Sequence, residues 1–270
     1  MSLILCRQEP VTVPYPLEEL GIHLYSSQEL CYVIYHYPLL VMEGFICGRL
    51  INFIRDELRM PFLADRLTKW MENRKVSDEL LFLILQDCAF YSQQEQARYR
   101  QEVTALRKLP PAEYEKRRGD YYYELHLYGK ALSVYEKLLE PAHAPELTSE
   151  LKGKLWNNIA ACYTKLFCYQ KAMHAYDCAW SEDGKEEYIK RMYFLTCRQP
   201  ELTVKERYQE KMTEENKKIW EEELRENLEA AKQEKAVTDM RQVFEQDPLK
   251  RLSRATEIVN QWKLEYRKMI

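Results

Sequence analysis

The chain opens with Pro10, Val11, Val13, Pro14 and Pro16 in quick succession. Proline lacks an amide hydrogen and pushes the residue before it out of helical geometry, so residues 1–20 are predicted as an extended arm. The period then changes. Ser26-x-x-Glu29 has the form of a capping box ahead of the apolar stretch 30–37. Helical spacing continues through Leu50, Ile51, Phe53, Ile54 and Leu58, then through Phe62, Leu63, Leu67, Trp70 and Met71 after Pro61, and onward from Asp78. Residues 21–109 are therefore predicted as an N-terminal helical region, with these aliphatic and aromatic positions read as ordinary core. Pro110 and Pro111 close it.

Across residues 110–200 one pattern occurs twice. Gly119, Tyr122, Ala131, Tyr135 and Leu138 are followed 41 positions later by Ala160, Tyr163, Ala172, Tyr176 and Ala179, with identical internal spacing of 3, 9, 4 and 3 residues. Trp156 precedes Ala160 by four and supplies a large anchor. Small residues recur where two helices approach closely and aromatics where they fill the space between, so each copy predicts a helix pair built to stack on its neighbour. The first pair is read as 112–140, turning near Tyr128 and Gly129 on a left-handed glycine. The second is read as 151–180, joined to the first through a long loop holding Pro141 and Pro145. A further helix over 185–197 caps the stack or begins a third unit. Beyond residue 200 the chain is dense in charge. Thr203-x-x-Glu206 is read as a cap, and Tyr208, Met212, Ile219, Leu224, Leu228 and Ala231 as a sparse apolar stripe. Asp247-Pro248 is read as the cap and first position of a last helix. There Leu252, Ala255, Val259, Trp262, Tyr266 and Met269 follow the 3,4 spacing of a narrow seam, suited to packing on the preceding helix or to self-association.

These patterns predict an all-α fold: helical hairpin repeats forming an α-solenoid, an N-terminal helical region over 21–109 and charged C-terminal helices over 201–270. The duplicated spacing resembles the tetratricopeptide repeat (TPR), and the whole arrangement resembles uncharacterised bacterial proteins carrying such repeats. The resemblance covers 110–200. It implies a non-enzymatic, protein-binding scaffold or adaptor whose partner, a protein or peptide, lies in the groove lined by the first helix of each pair. Some members hold the carboxylate of a chaperone's C-terminal tail there. The physical requirement is that ammonium, guanidinium and amide donors converge on its oxygens. Lys116, Asn158 and Lys190 match positions of that clamp, which implies a co-chaperone as the alternative function. Asp120 stands where the clamp carries an asparagine, and Glu186 where it carries a lysine. The groove candidates are Lys116, Asp120, Tyr123, Asn157, Asn158 and Lys190. Tyr121 and Tyr123, beside Tyr122 and Tyr128, offer a second aromatic recognition surface.

Composition narrows the function classes. Of 270 residues, 7 are glycine and 20 tyrosine, which favours helices over turn-rich sheets. The net charge of -3 draws the chain to neither nucleic acid nor anionic lipid. Residues 248–270 carry six basic side chains against Glu257 and Glu265, a solvated face or a surface for an acidic partner. A regulator whose N-terminal helices contact nucleic acid is the remaining alternative. The eight cysteines include no C-x-x-C pair, and the five histidines, His143 among them, are dispersed. No metal site and no cofactor are expected, and no phosphate loop, zinc-protease motif or nucleophile elbow is present. The apolar run ending at Cys6 is too short for a leader and no segment is long enough to span a bilayer, so a cytoplasmic protein without a transmembrane segment is expected.

Overall fold

The computed structural model describes residues 9–72, 77–141, 147–245 and 248–270. The expectations placed on Cys6, Asp247 and His143, and on the loop proline Pro145, fall outside these residues. The fold is all-α apart from one short hairpin. Its internal contacts divide into two compact units, the first ending at Tyr114 and the second beginning at Glu115.

In the first unit the arm is extended but paired. Strand β1 (Tyr15–Leu17) runs antiparallel to β2 (Ile22–Leu24), with Tyr15 opposite Leu24 and Leu17 opposite Ile22. Tyr15, Leu17 and Leu24 are buried, so alternation puts one face of the hairpin into the core while Pro16 occupies a position on a two-stranded ribbon where its missing donor is tolerated. The helices α1 (Ser27–His36) and α2 (Pro38–Val41) follow, the break falling at Pro38, the first position of α2. Ser26 accepts from the Glu29 amide at 3.1 Å, but Glu29 reaches back to the Tyr25 amide (2.5 Å), one residue beyond the position of a capping box. The helix α3 (Gly48–Asn52) runs into a π-helical turn, Phe53–Glu57, followed by α4 (Pro61–Glu72), α5 (Ser77–Cys88) and α6 (Gln93–Arg107). The reciprocal capping box is at Ser92 and Glu95, opening α6. Leu30, Ile34, Leu50, Ile54, Leu67, Leu81 and Ile84 form the core, whereas Phe62 is 85% exposed and lies outside it. Arg107 ties the end of α6 to Asp78 of α5 with two bonds (2.9 and 2.8 Å) and to Glu43 (2.6 Å).

In the second unit the helices come as hairpins: α7 (Pro111–Glu124), of which Glu115 onward belongs to this unit, with α8 (Tyr128–Leu138), and α9 (Ser149–Lys165) with α10 (Tyr169–Asp183), followed by α11 (Glu186–Arg198). The 41-residue offset recurs in the backbone. His126 and Phe167 both have φ 61°, and Leu127 and Cys168 have φ/ψ of -90°/62° and -89°/61°. Leu127 N donates to Tyr122 O (2.9 Å) as Cys168 N does to Tyr163 O (2.8 Å). The left-handed residue is thus His126 and not a glycine. Gly129 lies inside the first turn of α8, where a β-carbon would overlap the carbonyl of Ile270. The small residue and the aromatic of the pattern meet in the first pair, and their counterparts in the second pair are buried. At Gly119 a β-carbon would fall 2.5 Å from the ring of Tyr135, and the corresponding Ala160 and Tyr176 are both buried.

Past α11 the helix read from Thr203 begins only at Glu214. Residues 202–205 are irregular and Glu206–Lys211 form a 3-10 turn. Tyr208, 1% exposed, donates to Asp177 of α10 at 2.6 Å, and Lys205 (2.7 Å) and Arg207 converge on the same carboxylate. The cap that starts α12 (Glu214–Lys232) is Thr213, which accepts from Asn216 at 3.2 Å. Ile219 and Leu228 of the anticipated stripe are exposed. The last helices are α13 (Lys235–Phe244) and α14 (Pro248–Met269). The seam of α14 is not buried along its length: Leu252 is 72% exposed, while Tyr266 sits on Phe167 with ring centres 6.3 Å apart. Among the described residues no helix is long and apolar enough to cross a membrane.

Candidate functional site

The site is a cavity of about 400 Å³ in the second unit, lined by α7, α9 and α11 with one ring from α8. Helical periodicity fixes which side chains reach it. With Gly119 against Tyr135, Lys116, Asp120 and Tyr123 fall on the neighbouring stripe of α7, at spacings of four and three. On α9 the buried Leu155, Ile159 and Cys162 turn Asn157, Asn158 and Ala161 towards the same space.

A continuous hydrogen-bond chain runs across the floor. Asp120 accepts from Lys116 Nζ (2.6 Å) on one carboxylate oxygen, and from Tyr135 Oη (2.7 Å) and Asn158 Nδ2 (2.8 Å) on the other. Asn157 Nδ2 donates to Asn158 Oδ1 at 3.3 Å, and Asn157 Oδ1 accepts from the Arg191 guanidinium at 2.7 Å. Charge-assisted bonds of this kind, partly shielded from water, hold each side chain in one rotamer. Tyr123 is half-buried and tilted against Tyr128, ring centres 5.1 Å apart.

Two phenols and a thiol at the site have raised pKa values. Burial, reinforced by the hydrogen bond to Asp120, raises Tyr135 far above the ordinary phenol value, so its hydroxyl remains a donor. Burial pushes Tyr123 up to about 12. Cys162, beneath the floor, is also pushed up to about 12, by burial and then by the charges of Asp120 and Glu136, which keeps the thiol protonated and unreactive. Among the described residues no group of histidine, cysteine or carboxylate side chains is arranged to hold a metal ion.

Of the groove candidates, Lys116, Asp120, Tyr123, Asn157 and Asn158 line this cavity, and Lys190 does not. Lys190 turns towards α12, bonding its Glu223 (3.2 Å) and pairing with Glu187 (3.2 Å). Burial lowers its pKa, but the bonds to Glu187 and Glu223 outweigh that and the net shift is upward. Glu186 is paired with Lys211 at 2.9 Å. The cation that reaches the cavity from α11 is Arg191. A signal for it existed: Tyr188, Ile189, Met192 and Leu195 are the buried face of α11, and Arg191 lies one turn from both Tyr188 and Leu195, at the margin of that face. Tyr121 and Tyr122 are half-buried and Tyr128 is buried, so the tyrosine cluster presents chiefly Tyr123 to the cavity.

No protein-family model, curated protein or solved structure matches this chain.

Proposed function

We propose that the protein is a non-enzymatic TPR-like scaffold or adaptor that binds a segment of another protein in the groove between α7, α9 and α11. The observation that supports this most directly is the convergence of Lys116, Asp120, Tyr123, Asn157, Asn158 and Arg191 from three helices on one open cavity. Asparagine amides offer both a donor and an acceptor to a peptide backbone, and a half-buried tyrosine offers contact area with a polar tip. The co-chaperone alternative asks Lys116, Asn158 and Lys190 to meet at one ligand carboxylate. Lys116 and Asn158 meet at Asp120, while Lys190 is engaged by Glu187 and Glu223, so the general reading is the better supported.

The test compares the intact protein with an Asn157→Ala/Arg191→Ala variant, matched for helicity by circular dichroism. A partner retained from native cytosol is identified and its affinity for both proteins measured. The expected result is at least about a ten-fold loss in the variant, the size of one or two interface hydrogen bonds. Equal affinity for both would place binding outside the groove.

A further inference from the structure

Three donors from three helices point at one position in the groove, and the chain itself has put a carboxylate there. Lys116 Nζ, Asn158 Nδ2 and Tyr135 Oη all bond Asp120, at 2.6, 2.8 and 2.7 Å. An ammonium, an amide and a phenol converging on two oxygens is the arrangement that holds a bound anion. Arg191, the other cation at the cavity, is held at 3.2 Å by Glu187 of its own helix. Glu124, exposed at the rim, has no ion pair among the described residues. The formal charges of the lining residues Lys116, Arg191, Asp120 and Glu124 therefore cancel, and the carboxylate without a counter-ion belongs to the groove and not to a ligand.

We infer that Asp120 sets the charge preference of the groove: it fills the anion position from within, so that the groove takes a neutral or basic internal segment and rejects an acidic segment or a free C-terminal carboxylate. The inference rests on the groove being a peptide site. An incoming carboxylate would have to displace Asp120 from three bonds or lie beside it, where like charges a few ångströms apart repel. A lysine or arginine side chain meets the opposite condition, with Asp120 one-third exposed and Glu124 exposed to solvent.

Asp120→Asn isolates the charge. Its side-chain oxygen still accepts from Tyr135 and Asn158 while Lys116 loses its counter-ion, and Asp120→Ser serves where the amide disturbs packing. Two fluorescent hexapeptides are the probes, one rich in lysine with an amidated end, the other rich in glutamate with a free carboxylate. Anisotropy titrations at low salt are expected to show the native protein binding the basic peptide at least about ten-fold more tightly. Asp120→Asn is expected to shift that ratio about ten-fold or more towards the acidic peptide, and adding Lys116→Ala to reverse the gain. An unchanged ratio in Asp120→Asn and Asp120→Ser would overturn the role of Asp120. The Asn157→Ala/Arg191→Ala variant separates that failure from a deeper one. If it weakens both peptides while Asp120→Asn leaves their ratio alone, only the charge preference fails. If it weakens neither, or the native protein binds neither, the groove reading fails with it.

Discussion

Single residues carry the close approaches on which the second unit depends, and Gly119 is the sharpest case. Alanine there improves helix propensity by roughly 0.5–1 kcal/mol, but its β-carbon meets the Tyr135 ring at 2.5 Å. Moving that ring strains its bond to Asp120 (2.7 Å). Overpacking of this kind costs about 1–3 kcal/mol, so Gly119→Ala is expected to be a net destabilisation, read as a lower urea midpoint with unchanged slope. Asp177 carries a second device. Burial raises its pKa, but the bonds from Lys205, Tyr208 and Arg207 more than offset that, and the net shift is downward. A carboxyl whose folded pKa lies below its unfolded value stabilises the fold fully above the unfolded value, near pH 4, and loses that contribution as pH falls through the folded value. Asp177→Asn is therefore expected to cost about 1–3 kcal/mol at neutral pH, and progressively less below roughly pH 4. Equal loss at pH 7 and pH 3 would contradict this.

At the scale of elements, the turns explain what was legible and what was not. The spacing of Gly119, Tyr135, Ala160 and Tyr176 announced both helix pairs because small and large residues must alternate wherever two helices touch. Turn geometry was read from the wrong signal. Gly129 drew attention as a flexible residue, yet the left-handed positions are His126 and Phe167; histidine is among the residues enriched in that region, whereas phenylalanine is not. Gly129 is small for a different reason, the approach of Ile270. Gly129→Ala is expected to detach the end of α14. Hydrogen exchange should then rise around Tyr266, whose ring rests on Phe167, while α9 and α10 keep their protection. Unchanged exchange in α14 would show that this contact does not hold the helix. The segment after α11 failed for a similar reason. Thr203 and Glu206 have capping spacing, but Lys205, Arg207 and Tyr208 are drawn to Asp177, 28 or more residues away, and no local pattern records such a partner. In the site, the stripe on α7 and the asparagines on α9 were legible through the resemblance to the tetratricopeptide repeat. The choice of Arg191 over Lys190 depended on the packing of α12, whose Glu223 captures the lysine.

For the whole molecule, the second unit brings one set of polar side chains together where three helices converge, over a core of buried tyrosines, alanines and leucines. Such a surface fits the proposed role of holding a chain segment, and Cys162 and Tyr135 there remain protonated donors at neutral pH. The most direct measurement of the central claim is site-specific photo-crosslinking in cells. A benzophenone amino acid replaces Tyr123, half-buried at the groove, or the exposed Tyr25 of the first unit as control. Groove binding is expected to give a discrete adduct from position 123 that is diminished by Asn157→Ala/Arg191→Ala and missing from position 25. Adducts of equal yield at both positions, or an adduct at 123 indifferent to the groove substitutions, would contradict it.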